Sequence, residues 1–356
     1  MQEVERKRIA LSALKAFCAE AFLKAGLPED HASLTAEVLV ATDAWGIHTH
    51  GTYNVLNYVR KIRVGGIDPR AVPQVAAEGP AWAIVDGHSA MAMVSSVMAM
   101  DLAIRKAAAA GIGFAGVRES NHFGAAAYYA HMAVKRDMIG LAYTNTALCT
   151  TAPGSRGAVI GNNPLAYAVP AGKEHPLLFD IAMSRVAGTK IDVAKKLAKP
   201  IPNDWIVDEN GVPTTDVSKY PLAASLLPMA GHKGYGLAVM VEVLAGVLTG
   251  AGVTTELISW GPFPSERPKT GHAFIAINVG AIMDVQNFKS RMDKMIRGIK
   301  ESPRAKGAER IYLPGEMEWE TYDEASKRGI LLPPETMANL TTLAEELGRS
   351  PISSFP

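Results

Sequence analysis

The stretch Gly111-Ile112-Gly113-Phe114-Ala115-Gly116 constrains what this chain can fold into more than any other. It matches G-x-G-x-x-G, and Asp137 follows at roughly the 20-residue distance of a dinucleotide fingerprint. The context is reversed. A Rossmann loop follows a strand and opens a helix, so that the helix N-terminus faces the pyrophosphate. Here Met91 to Ala110 reads as a buried Ala- and Met-rich helix and Gly111 to Val117 as a strand, so the glycines lead from helix into strand. A Rossmann site is set aside, and the absence of G-x-x-x-x-G-K-[ST] also removes P-loop phosphoryl chemistry.

The 356 residues set an expectation of two to three domains at roughly 100–200 residues each. With 48% apolar and 20% charged residues, the chain has the composition of a packed protein and not of a disordered one. Its 36 Lys and Arg against 35 Asp and Glu leave a net charge of +1, which lacks the footprint of a nucleic-acid or anionic-membrane binder. A small-molecule ligand is expected. Cys18 and Cys149 are too few for a disulfide scaffold or a cysteine zinc site and fit a reducing, cytoplasmic location. Glu3, Glu5, Lys15 and Glu20 break the N-terminal apolar pattern, so no signal peptide is read. Ser89 to Met100 and Leu237 to Leu248 are too short to span a bilayer.

Helical periodicity runs from Glu5 to about Trp45 with a break at Gly26-Leu27-Pro28, and Gly65 to Pro80 reads as a linker. Ala81 to Gly87 is a short run ending in a turn. Strands are expected at Ile139 to Thr144, Leu165 to Val169, Leu177 to Ile181 and His272 to Val279. Amphipathic helices are expected at Lys190 to Lys199, Val285 to Ile299 and Glu335 to Leu347.

Five segments carry candidate chemistry. Asp43 to Gly51 holds His48 and His50 at the end of a helix, where the macrodipole favours the imidazolium needed by a general acid. Thr49 can supply a supporting hydroxyl, and the plain alternative is a pair of histidines that bond the free carbonyls of a helix end. No third ligand accompanies H-x-H, so a metal site is not expected. Glu119 to Gly124 lies at a strand-to-helix corner, where His122 is acid, base or orienter, or the segment is only a Ser/Asn helix cap. Ala230 to Gly236 places Lys233 among glycines before an apolar helix, which suits an anion as well as a simple connection. Gly161 to Pro164 and Phe179 to Ser184 join polar groups to strand ends and alone pass as turns.

Taken in order, Gly46-Ile47-His48-Thr49-His50-Gly51, Ser120-Asn121-His122-Phe123-Gly124, Gly161-Asn162-Asn163-Pro164-Leu165, Phe179-Asp180-Ile181-Ala182 and Lys233-Gly234-Tyr235-Gly236-Leu237 resemble one family, from Glu29 to at least Arg297. It is the malate/L-lactate dehydrogenase family that is unrelated to the Rossmann enzymes. The resemblance implies an α+β fold: a non-Rossmann nicotinamide-binding mixed β-sheet domain over residues 76–294, and a helical domain built from both chain ends, residues 1–75 with 295–356. It implies a homodimer that passes a hydride between NAD, or NADP, and a small 2-hydroxy or 2-oxo acid. Ureidoglycolate-like substrates and cyclic imines of the piperideine-2-carboxylate type both fall within its range, and a relative that binds the nucleotide without turnover stays open.

By the same resemblance, His50 matches the S-H-G histidine held by the hydroxyl of Thr49, and His122 the histidine at the nicotinamide end; one of the two is the proton donor. His122, Phe123, Gly124, Thr146, Asp180, Ile181, Ala182, Lys190, Lys233, Gly234 and Arg291 match cofactor positions, and His50, Asn54 and Asn121 face the substrate. Three departures bear on the substrate. Asn54 stands where many members carry an Arg suited to clamp a carboxylate, and Trp45 replaces a common Arg. Gly188-Thr189 also alters the segment before Lys190, and a less anionic or cyclic substrate is expected.

Overall fold

The computed structural model describes residues 8–350. The opening helical pattern becomes α1 (Leu11–Lys24) and α2 (Glu29–Ala44), and the expected start at Glu5 lies outside the described residues. Glu29 and Asp30 in the first turn of α2 complement its dipole. A short helix, α3 (Val55–Arg63), follows and buries Val55, Leu56, Tyr58, Val59 and Ile62 on one face.

The segment read as a linker contains a strand, β1 (Gln74–Glu78), which pairs antiparallel with β2 (Trp82–Asp86). Every residue of β1 is exposed, so it carries no alternating pattern by which a strand could be read. Next come α4 (Ala92–Ala110), β3 (Ile112–Ser120), α5 (Ala126–Val134) and β4 (Met138–Thr144). The short strands β5 (Thr150–Thr151) and β6 (Ala158–Ile160) precede β7 (Leu165–Val169), β8 (Leu177–Ile181) and α6 (Gly188–Lys196). After β9 (Ile206–Asp208), β10 (Pro213–Thr214) and β11 (Ala224–Leu226), α7 (His232–Glu242) runs on into a π-helical turn over Val243–Val247. Last come β12 (Thr270–Asn278), α8 (Val279–Ile282), α9 (Val285–Lys300), α10 (Glu316–Arg328) and α11 (Pro334–Glu346).

The main sheet has seven strands in the order β1-β2-β3-β12-β4-β7-β8. Only β2 and β3 run parallel, joined through α4, and every other neighbouring pair is antiparallel. This is the mixed sheet expected from the family resemblance, and it is not a doubly wound parallel one. The failed fingerprint gets a packing explanation here: a Cβ on Gly113 would sit 2.1 Å from the Ala103 carbonyl oxygen of α4, so the glycine lets strand and helix backbones approach. A second sheet, β10-β9-β11-β5-β6, carries its own small core around Ile191, Ile206 and Leu226.

The principal core joins the sheet to helices from both chain ends and runs through Leu14, Leu39, Tyr58, Phe274, Trp319 and Leu340. Ile9 and Ile330 form a backbone bridge, and the Asn339 amide donates to Tyr53 O at 2.9 Å. Trp45 packs edge-on against Trp319 at 5.9 Å and against His131 at 5.5 Å, so its indole belongs to the seam between α2, α5 and α10.

Candidate active site

The helix α2 stops at Ala44, and His48–His50 and Thr52–Asn54 follow as two tight 3₁₀ turns. Asp43 explains this course. Its buried carboxylate accepts from His48 Nδ1 at 2.9 Å, from the Thr52 amide at 2.8 Å and from the Thr52 hydroxyl at 2.5 Å. A Cβ on Gly51 would stand 2.3 Å from Asp43 Oδ1, so the glycine of the histidine motif is required by this carboxylate. The two histidines therefore part company: His48 is tied to Asp43, while His50 turns to Thr49, whose Oγ1 lies 3.0 Å from His50 Nδ1. The Asn54 amide is buried and donates to Thr49 O at 2.8 Å.

The corner after β3 brings His122 against the first motif. The imidazoles of His50 and His122 stack with centroids 5.6 Å apart, and a Cβ on Gly124 would lie 3.5 Å from His50 O. Three residues not singled out in the sequence complete the cluster. The phenol of Tyr58 on α3 bonds His122 Nδ1 and also reaches His122 O at 3.3 Å. Trp260 stacks on His122 at 4.5 Å and on Tyr58 at 5.3 Å. His272 of β12 lies beneath Phe123, rings nearly parallel at 4.4 Å. Each sits in a segment with no motif of its own, so only a Tyr, Trp or His at an otherwise apolar position gave a signal.

His272 is fully buried, with Nδ1 2.8 Å from Thr144 Oγ1 and Nε2 2.9 Å from Ser120 Oγ. The Thr144 hydroxyl lies 3.1 Å from both Asn145 O and Gly271 O, to which it can only donate. Nδ1 of His272 is then the donor to Thr144, and Nε2 accepts from Ser120. Burial holds this imidazole down at about 3 and lowers that of His50. His122 is held well below the ordinary range by burial first, then by the neighbouring His50 and His272 rings. All three rings are neutral near pH 7. The Tyr58 phenol is driven well above its usual value by burial and stays protonated, so it can donate to His122 Nδ1, or accept from it and turn its proton to His122 O.

Asn121 binds Ala90 O through its amide nitrogen at 2.8 Å, while its buried Oδ1 has no partner among the described residues. From Thr144 the chain leads to the second cluster. Thr146 N donates to Asn163 Oδ1 at 3.0 Å, and its hydroxyl to Asn162 Oδ1 at 2.8 Å. Met183 N donates to Asn162 O, Met229 N to Met183 O and Gly234 N to Met229 O, which brings the Asp180–Ala182 and Lys233-Gly234 segments to one place. Asp180 accepts from the Ala127 amide at the start of α5 at 2.8 Å, and desolvation still pushes its carboxyl up to about 6.

The helix α7 begins at His232, earlier than the expected Leu237, so Lys233 stands exposed in its first turn and not in a loop before it. A cavity of about 490 Å³ opens there, lined in part by Arg185, Asp204, Gly231 and His232. The Lys233 ammonium in the first turn of an 11-residue helix suits an anionic group, so the residues present fit a dinucleotide. Of the other expected cofactor residues, Lys190 is exposed in the first turn of α6 and Arg291 is exposed on α9. Among the described residues no group of three or more His, Cys, Asp or Glu side chains is placed to hold a metal ion.

With this geometry in view, the family model of malate/L-lactate dehydrogenase matches residues 9–341. The chain is 35% identical to a malate dehydrogenase of Pyrococcus abyssi, over 96% of this chain and 95% of that one. It is 34% identical to the NAD(+) ureidoglycolate dehydrogenase of Escherichia coli K12, over 82% and 83%. A Delta(1)-pyrroline-2-carboxylate/Delta(1)-piperideine-2-carboxylate reductase of Pseudomonas putida matches at 29% over 94% and 96%. The solved sulfolactate dehydrogenase of Methanocaldococcus jannaschii superposes with a TM-score of 0.89 at 34% identity, covering 98% of this chain and 99% of that one. The chain belongs to the malate/L-lactate dehydrogenase family and is an oxidoreductase.

Proposed function

We propose that this protein interconverts a small 2-hydroxy acid and its 2-oxo acid with NAD, and that His122 carries the proton. The observation that carries this reading is the His122 imidazole itself. It is oriented through Nδ1 by the Tyr58 phenol and stacked on His50. A base whose other nitrogen is held by a third group is the arrangement that proton transfer requires. When bound, the nicotinamide supplies or accepts the hydride at the substrate's carbinol carbon. In oxidation, neutral His122 takes the hydroxyl proton; in reduction, protonated His122 returns it to the oxygen. Its depressed pKa favours the base form in the free enzyme, and an anionic substrate beside it raises that pKa and favours the acid form. His50, bonded to Thr49, offers the second polar edge to the substrate.

Thr146, Asp180–Ala182, Lys233 and Gly234 hold the dinucleotide in this reading, supported by the backbone bonds that join their segments. NAD is favoured by the cofactor in the name of the ureidoglycolate relative, with NADP as the competing cofactor. The Asn54 amide, spent on Thr49 O, is no carboxylate clamp, which favours a substrate less anionic than malate and supports a cyclic imine as the second reading. A homodimer is part of the proposal, supported by Leu237, Met240, Val243 and Val247 exposed along α7 and its π-turn. So is the division into a helical part, 1–75 with 295–356, and a catalytic part, 76–294, supported by the packing of α10 and α11 on the first helices. No described helix is long and apolar enough to cross a membrane, and with free Cys18 and Cys149 this supports the cytoplasm as the location.

The test is turnover with NADH and with NADPH against oxaloacetate, pyruvate, 2,3-diketogulonate and piperideine-2-carboxylate, and in reverse with ureidoglycolate, followed by the absorbance of the reduced nicotinamide. Turnover on a 2-oxo acid that His122→Gln removes supports the reading. Turnover on the cyclic imine alone replaces it with the second, and binding of NADH with no turnover overturns both.

A further inference from the structure

Lys61 is 1% exposed, and its ammonium meets four backbone carbonyls, with the Glu266 carboxylate acting on it only at longer range. Its Nζ lies 3.0 Å from Glu266 O, 3.2 Å from Phe263 O and Pro264 O, and 3.5 Å from Trp260 O. All four belong to one loop, Trp260-Gly261-Pro262-Phe263-Pro264-Ser265-Glu266. Pro262 and Pro264 have no N–H, so this loop holds more carbonyls than donors and cannot satisfy them itself. The three N–H groups of one compact ammonium suit converging carbonyls better than the planar fork of an arginine. A second contact docks the loop on the turn that follows the same helix: a Cβ on Gly66 would stand 2.0 Å from Pro264 O and 2.8 Å from Lys61 Cγ.

We infer that Lys61 is a positioning residue for the reaction: it locks the 260–266 loop so that the Trp260 indole stays stacked on His122. This deepens the proposed function and rests on the reading of His122 as the proton carrier. Lys61 follows Tyr58 by three residues and so shares its face of α3. One helix face therefore grips His122 directly, through the Tyr58 phenol, and secures the aromatic ring that keeps water from it, through Lys61. For packing alone an apolar side chain would serve, since a buried ammonium carries a desolvation cost that lowers its own pKa.

The experiment uses the full chain. Trp260→Phe identifies the part of the tryptophan emission that belongs to Trp260. In Lys61→Met that part should shift to longer wavelength, and kcat should fall about 10- to 100-fold, the scale of an ångström-sized misplacement. The Kd of NADH should stay unchanged. The acid limb of the oxidation pH profile should move up toward the ordinary imidazole value as water reaches His122 beside His50 and His272. The double variant Lys61→Met/Trp260→Leu should be no slower than Trp260→Leu alone. Gly66→Ala, which displaces the loop and leaves the ammonium, should reproduce the emission and pH shifts if Lys61→Met fails to fold. Unchanged Trp260 emission, a lowered Tm with kcat and pH profile intact, or multiplying losses in the double variant would each overturn the inference. Full turnover in His122→Gln together with the emission shift would overturn the reading of His122 and leave the hold of Lys61 on Trp260 standing.

Discussion

The two ends of the candidate site are built on opposite physical terms. At the proton end, His50, His122 and His272 lie among Tyr58, Phe123 and Trp260, and burial lowers all three imidazole pKa values. At the start of α7, Gly231, His232 and Lys233 are exposed, and a cavity opens beside them. A group that must take and return a proton needs its charge governed by neighbours and not by water. A seat for a phosphate needs backbone donors and cations left facing solvent until the ligand arrives. The same fold half-buries one end under stacked aromatic rings and leaves the other open through glycine.

The largest effect should come from the proton end. His122→Gln should lower kcat by about 10²–10⁴-fold, far more than it weakens NADH binding, as stopped-flow turnover and fluorescence titration would show. An equal loss of cofactor affinity would break the contrast between the ends. Next in size, Gly51→Ala forces its Cβ into Asp43, and the turn carrying His50 must shift. A loss of about 1–3 kcal/mol in denaturant unfolding is expected, the usual cost of overpacking, together with slower turnover. Lys233→Met tests the open end: KM for NADH should rise about tenfold with kcat nearly constant, on the scale of one charge-assisted hydrogen bond. The salt dependence of NADH binding should flatten at the same time.

The smallest effect is on stability against pH. His272 has its pKa at about 3 in the folded protein and near 6.5 when unfolded. Between these values the unfolded chain binds the extra proton, so stability present above about pH 6.5 is lost as pH falls toward 3. Asp180, pushed up to about 6, acts with the opposite sign: its contribution is present below about pH 4 and is lost as pH rises through 6. Replacing His272 with Gln should therefore flatten the fall in Tm on the acid side, and Asp180→Asn should steepen it. Thermal unfolding from pH 4.5 to 8 would read both slopes.

Much of this was legible in the chain. The helix before Gly111 and the strand after it ruled out a Rossmann loop, because local periodicity is a property of consecutive residues. The five motifs singled out His50, His122, Asp180 and Lys233, and α4, β4, β7 and β8 lie where their apolar runs predict. Strand β1 stayed hidden because all its residues face solvent, and α3 because a nine-residue helix between two turns leaves few periods to count. The resemblance chose His50 over His48, and the tertiary structure supplies the physical difference between them: His48 is tethered to Asp43, while His50 turns to Thr49. Tyr58, Trp260 and His272 reach His122 and Phe123 across 64, 138 and 149 residues of sequence. Their roles depend on distance and on the exclusion of water. Spacing along a chain encodes neither, so the sequence determined which chemical groups were available and packing decided which of them act together.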